Sequence, residues 1–167
     1  MKRILLVGAL AVSTLGLSAC GFTPLYATPG VTPGLASIET IAPDGRAGFL
    51  LREQLDDAFV YNTGAPSTYR LTLAVSEQRF ARGVRVDNVA NRYELRMVVN
   101  WRLLDSKTGA EVRKGRSEAA VTYDSADQPY AAIAAQNDGQ ERAAAEAARN
   151  IQLDLAAWMA SGRKAGT

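Results

Sequence analysis

Apolar and polar positions alternate from residue 92 to residue 103, with Tyr93, Leu95, Met97, Val99, Trp101 and Leu103 on one side and Arg92, Glu94, Arg96, Asn100 and Arg102 on the other. A period of two is that of a half-buried strand. Only Val98 breaks it. The run before it carries the same signal over Tyr69, Leu71, Leu73 and Val75, then loses it, because Glu77 and Arg79 stand where the apolar side would continue. That slip predicts a strand that leaves the core, or bulges, before a turn region at residues 83–91. Asp105-Ser106-Lys107-Thr108-Gly109 reads as a tight connection, and Glu111 to Tyr123 as a third antiparallel strand ending in Ala119, Val121 and Tyr123.

Elsewhere the period lengthens. Ala47, Leu50, Leu51, Leu55, Ala58 and Phe59 recur at three- and four-residue steps, which predicts a helix with Asp44 placed to cap it and residues 61–66 to stop it. Leu35 to Ile41 is a short β-leaning run closed by Pro43. Gln128 suits a cap ahead of Pro129 at a first helical position. Within that helix, Gln136-Asn137-Asp138-Gly139 should form a kink or a break, with Asp138 and Glu141 restarting the helix as a capping box. Ala144, Ala147, Ile151, Leu155 and Trp158 then trace one stripe to Ser161-Gly162. The order β-α-β-β-β-α, with two main helices on one face of about four mostly antiparallel or mixed strands, is an α+β two-layer sandwich. Tyr69, Tyr93, Trp101 and Tyr123 fall on the strand sides expected to pack against those helices.

Residues 1–34 follow neither period. Lys2 and Arg3 precede an apolar run from Ile4 to Leu17, and Leu17-Ser18-Ala19-Cys20 is similar to the processing site of a bacterial lipoprotein. The run is too short to cross a bilayer convincingly as a helix. Residues 1–19 are therefore expected to be a removed signal, and Cys20 the acylated first residue of the mature chain. A thioether there would also dispose of a free thiol in an oxidising compartment. No cofactor is expected beyond that covalent lipid. Gly21 stands after the cysteine, where Asp is the usual inner-membrane retention signal, so the periplasmic face of the outer membrane is the expected address. Pro24, Pro29, Gly30, Pro33 and Gly34 predict an extended tether over residues 20–34, followed by a single domain over 35–162 and a short tail over 163–167.

Charge narrows the function. The chain has 19 Lys and Arg against 17 Asp and Glu, and loss of Lys2 and Arg3 with the signal leaves it formally neutral. A nucleic-acid binder would normally carry a large positive footprint. Histidine is absent and Cys20 is the single cysteine, so neither the commonest general base nor a zinc-type ligand set nor a second thiol is available. No nucleophile-elbow, phosphate-loop or dinucleotide-binding motif occurs. Scattered carboxylates alone carry no specificity for acid–base chemistry, so an enzyme is not expected. The feature that stands out is a set of six arginines, Arg79, Arg82, Arg85, Arg92, Arg96 and Arg102, set against Glu77, Asp87 and Glu94 on one hairpin. Guanidinium makes the paired contacts that phosphates and carboxylates accept best. An anionic head group would suit such a hairpin; so would the ordinary polar face of a sheet, or carboxylates of a protein partner received along its edge.

The expected mature start, Cys20-Gly21-Phe22-Thr23-Pro24-Leu25-Tyr26, resembles the C-G-F-x-P-L-Y start of the LptE family of lipopolysaccharide-assembly lipoproteins. Asn91-Arg92-Tyr93-Glu94-Leu95-Arg96-Met97 and Ala135-Gln136-Asn137-Asp138-Gly139-Gln140-Glu141 agree with the same family. The resemblance implies two helices on a four-stranded sheet and a role without catalysis. It implies a plug held inside the LptD β-barrel that helps the barrel fold and assists delivery of lipopolysaccharide to the outer leaflet. It also implies lipopolysaccharide binding by basic residues near the end of the hairpin, where Arg82 and Arg85 lie closest, flanked by Arg79, Arg92 and Arg96. The other reading is an auxiliary lipoprotein of a lipid transporter, with the same anchor and a different partner.

Overall fold

The computed structural model describes residues 28–61, 64, 66–84, 86, 90–125 and 128–164. They form helix α1 (Val31–Ala36), strand β1 (Ile38–Ile41), helix α2 (Arg46–Phe59), strands β2 (Tyr69–Val84), β3 (Ala90–Asp105) and β4 (Glu111–Asp124), and helix α3 (Pro129–Lys164). The sheet order is β1-β2-β3-β4; β1 runs parallel to β2, and the other neighbours are antiparallel. Helices α2 and α3 cover one face, which is the α+β sandwich expected from the element order.

The core sits where the period-two and helical stripes meet. Leu95, Met97, Val99, Trp101 and Leu103 of β3 are buried against Leu51, Leu55 and Phe59 of α2 and the small-residue side of α3, Ala143, Ala144, Ala147 and Ala148, with Ile151 and Leu155 beyond. Alanines let the helix axis come close to the sheet. Ser117, the polar residue of β4 on this side, is buried and donates its hydroxyl to the Ala147 carbonyl at 3.2 Å, so it carries no unmet polar group. Trp101 is accommodated because Gly115 lies opposite it: a Cβ at Gly115 would fall 2.4 Å from Cζ2 of the indole. The expected aromatic packing holds, with Tyr93 and Tyr123 stacked at 5.7 Å and Tyr69 edge-on to Trp158 at 5.9 Å.

Four local expectations are corrected. Residues 31–36 are helical, and Val31 and Leu35 are buried, so the fold begins before residue 35 and the tether is shorter than its proline content implies. Leu35 consequently belongs to α1, and β1 is confined to Ile38–Ile41. Asp44 does not cap α2: Gly45 holds that position at φ 107°, a conformation closed to side-chain-bearing residues, and no side chain bonds the helix start. Helix α3 runs through Asn137-Asp138-Gly139 unbroken for 36 residues. Asp138 instead pairs with Arg142 one turn on, at 2.9 Å, and a Cβ at Gly139 would meet Tyr123 Cδ1 at 3.0 Å, so the glycine serves close packing.

The expected slip in β2 takes its bulged form, and later than Glu77: the strand pairs with β3 continuously from Tyr69 opposite Asp105 to Ala81 opposite Tyr93, and its irregularities lie between Ala81 and Val84. Because α3 is unbroken, its polar stretch from Gln136 to Gln140 passes over this part of the strand. Gln140 donates to Glu77 and Arg79 donates to Gln136, each at 3.0 Å. The apolar side of β2 turns polar at residue 77 because the helix above it does.

Candidate functional site

Sixteen-residue strands make a long hairpin whose strands are covered unequally: β3 stays in the core as far out as Leu95, whereas beyond Leu73 no described side chain of β2 is fully buried. The face turned away from the helices is uncovered over the whole hairpin. Alternation along β2 and β3 decides which arginine goes where. Odd positions face the helices, so Arg79 lies beneath α3, its guanidinium 4.9 Å from the centre of the Tyr93 ring and hydrogen-bonded to Gln136. Even positions face outward, so Arg82, Arg92 and Arg96 share the open face. Cys20 and Arg85 lie outside the described residues.

On the open face the outer half of the hairpin is built round Phe80 and Glu94. Arg82 and Arg96 lie 5.7 and 5.3 Å from the Phe80 ring centre, a distance at which a cation is attracted to a ring face. Both guanidiniums also bond Glu94, at 2.9 and 3.1 Å, and Arg96 reaches Glu118 of β4 at 3.4 Å. Arg92 pairs with Asp124 at 2.8 Å. The hydrogen bond from Arg82, then the charges of Arg82 and Arg96 and the Arg96 bond, hold the Glu94 carboxyl below its usual range, against an opposing effect of partial burial. Arg82 and Arg92 are raised in turn by Glu94 and Asp124, chiefly through the same bonds. This end therefore presents three arginines whose charge is already met within the fold, two of them on an aromatic ring. An anion arriving there competes with Glu94 and Asp124.

The sixth arginine stands apart. Arg102 lies eight residues from Glu94 along β3, about 26 Å at 3.3 Å per residue, with Thr72 opposite it on one side and Lys114 on the other. Sequence reasoning missed both Phe80, which interrupts the polar side of β2, and the cations of β4, because register across a turn decides what they face. A lone Phe among polar alternates was the available signal for the first. For the second there was none, since the β-bulge between Leu103 and Leu104 shifts the pairing of β4.

A family profile described as LptE, lipopolysaccharide-assembly, matches residues 35–155. The chain is similar to the crystal structure of a candidate lipoprotein from Caulobacter crescentus, at 72% identity over 80% of this chain and 97% of that one, with a TM-score of 0.71. It is also similar in fold to rare lipoprotein B from Shewanella oneidensis, at 16% identity, 75% and 96% coverage and a TM-score of 0.54. A minor lipoprotein from Acinetobacter baumannii gives 16% identity, 72% and 88% coverage and a TM-score of 0.51. No curated protein matches.

Proposed function

This chain belongs to the LptE family of lipopolysaccharide-assembly lipoproteins, and from there we propose that it is anchored by an acylated Cys20 to the periplasmic face of the outer membrane. There it fills and steadies a large β-barrel of the LptD kind and binds lipopolysaccharide with its hairpin. The role is one of fit and contact, without bond chemistry. The observation that carries the reading, within that family, is the long hairpin with one sheet face uncovered along its described length and no fully buried side chain of β2 beyond Leu73. A barrel interior is polar on its lumen side. An open sheet face of mixed charge, with most of its arginines bonded to acids, is suited to lie against such a wall without stranding bare charge.

The ligand half of the reading rests on the same surface. Lipopolysaccharide joins anionic head groups to acyl chains, and Arg82 and Arg96 beside Phe80 offer both a cation and an apolar ring. Arg79, on the helix side of the sheet, bonds Gln136 of α3 and is thereby turned away from the face that carries the other flanking candidates. Co-purification tests the proposal: detergent-solubilised membranes from cells making the tagged protein should yield a large heat-modifiable β-barrel in stoichiometric amount. Recovery of transporter subunits with no barrel would overturn it.

A further inference from the structure

The end of the open sheet face away from the hairpin turn carries a second feature, and it stands independently of the barrel and lipopolysaccharide reading. Two cross-strand rows lie side by side there: Thr72, Arg102 and Lys114 in one, Ala74, Asn100 and Arg116 in the next. Between them is an open cavity of about 450 Å³. Ala74, small and outward-facing, leaves the space over a floor of Leu73, Trp101 and Gly115; Thr72 and Asn100 offer a hydroxyl and an amide; Arg102, Lys114 and Arg116 line it, and no carboxylate does.

The charge here is arranged differently from that at the hairpin end. Arg102 has no ion-pair partner among the described residues. Lys114, 74% exposed, reaches Glu111 only at 3.5 Å. Arg116 alone is well paired, with Glu118 at 3.0 Å, and that carboxylate is shared with Arg96. Arg102 and Lys114 are direct cross-strand neighbours, and like charges placed so destabilise a sheet. A guanidinium, an ammonium, a hydroxyl and an amide lining one space free of acids supply a donor set for a compact, multiply acceptor anion. We infer that this cavity is a binding site for a phosphoryl group, formed by Thr72, Asn100, Arg102, Lys114 and Arg116 around Ala74. The group could belong to a lipid head or to free phosphate, and the geometry is common to both.

The lipidated protein in a neutral detergent tests this by calorimetric titration with dihexanoyl phosphatidic acid below its micelle concentration, with inorganic phosphate as competitor and dihexanoyl phosphatidylcholine as control. Binding of phosphatidic acid displaced by phosphate supports recognition of the phosphoryl group itself. Binding of phosphatidic acid that phosphate does not displace supports a lipid head as the source. Absence of binding by either, or equal binding of phosphatidylcholine, overturns the site. Arg102→Gln should weaken the interaction about tenfold at low salt, and Lys114→Gln similarly. Ala74→Leu keeps every charge and fills the space, so it should weaken binding as much. Arg52→Gln, on helix α2 and away from the sheet face, should leave it unchanged. Loss through Arg52→Gln with none through Ala74→Leu would mean diffuse attraction to surface cations and would also overturn the site. All four positions are exposed, and melting curves identify any variant that has lost its fold.

Discussion

At the scale of single residues the open face is governed by how its charges are shared. Glu94, with its side chain 17% exposed, holds two guanidiniums, and its carboxyl titrates below its ordinary value mainly because Arg82 bonds it. A carboxyl whose pKa is lower folded than unfolded stabilises the fold above its unfolded pKa, and that stabilisation is lost as pH falls through the folded one. Glu94→Gln should therefore lower the melting temperature at pH 7 and lower it progressively less between about pH 5 and pH 2. Thermal melts of parent and variant across that range provide the check. A gap of constant size would show that the carboxylate's charge contributes nothing and that the side chain acts through shape alone. The same substitution leaves Arg82 and Arg96 without an acid between them, so anion binding at the hairpin end should tighten while stability falls.

At the scale of elements, the length of the strands sets the length of the helix. Sixteen-residue strands reach about 53 Å, and the 36 residues of α3 reach about 54 Å. A helix broken at Gly139 would leave the polar half of β2 without its glutamine partners. Glycine in a helix interior ordinarily costs about 0.5–1 kcal/mol relative to alanine, yet here a side chain would press on Tyr123, itself stacked on Tyr93. Gly139→Leu should cost about 1–3 kcal/mol in urea denaturation, and Gly139→Ala should fall short of the usual gain. Full stabilisation by Gly139→Ala would mean that the contact with Tyr123 imposes nothing. This position also shows where the sequence could be read and where it could not. Strand β3 was legible throughout because burial on one side writes a period of two directly into the chain. The outer half of β2 was not, because Glu77 and Arg79 bond Gln140 and Gln136, some sixty residues away, and no local pattern records that. The Asn-Asp-Gly signal was a sound local rule that packing overrode. The arginines of the hairpin were legible as a group; their division into one beneath the helix, three bonded to acids and one without a partner required the register.

For the whole molecule, the proposed placement asks how a formally neutral domain would stay at a membrane. No described helix is long and apolar enough to cross one, and the arginines of the open face are largely bonded to acids, so attraction to anionic lipid from that surface is weak and screened by salt. Attachment then falls to the acyl chains expected on Cys20. Each buried methylene contributes about 0.8 kcal/mol, and stable anchoring takes more than one chain, which a multiply acylated cysteine supplies. Val31 is already buried in the fold, so ten residues lie between the anchor and the packed domain, a reach of no more than about 40 Å over eleven steps of the chain. That keeps the hairpin within a molecular length of the bilayer, where a barrel embedded in the same membrane can receive it. Cys20→Ser should accordingly release the protein from membranes of cells depleted of the barrel partner, and leave part of it membrane-bound where the barrel is present, since the plug contact remains. Fractionation followed by immunoblotting of both strains reads the two contributions separately. If the serine variant stayed on barrel-free membranes in high salt, the lipid would not be the anchor, and a hydrophobic surface of the domain itself would have to hold it there.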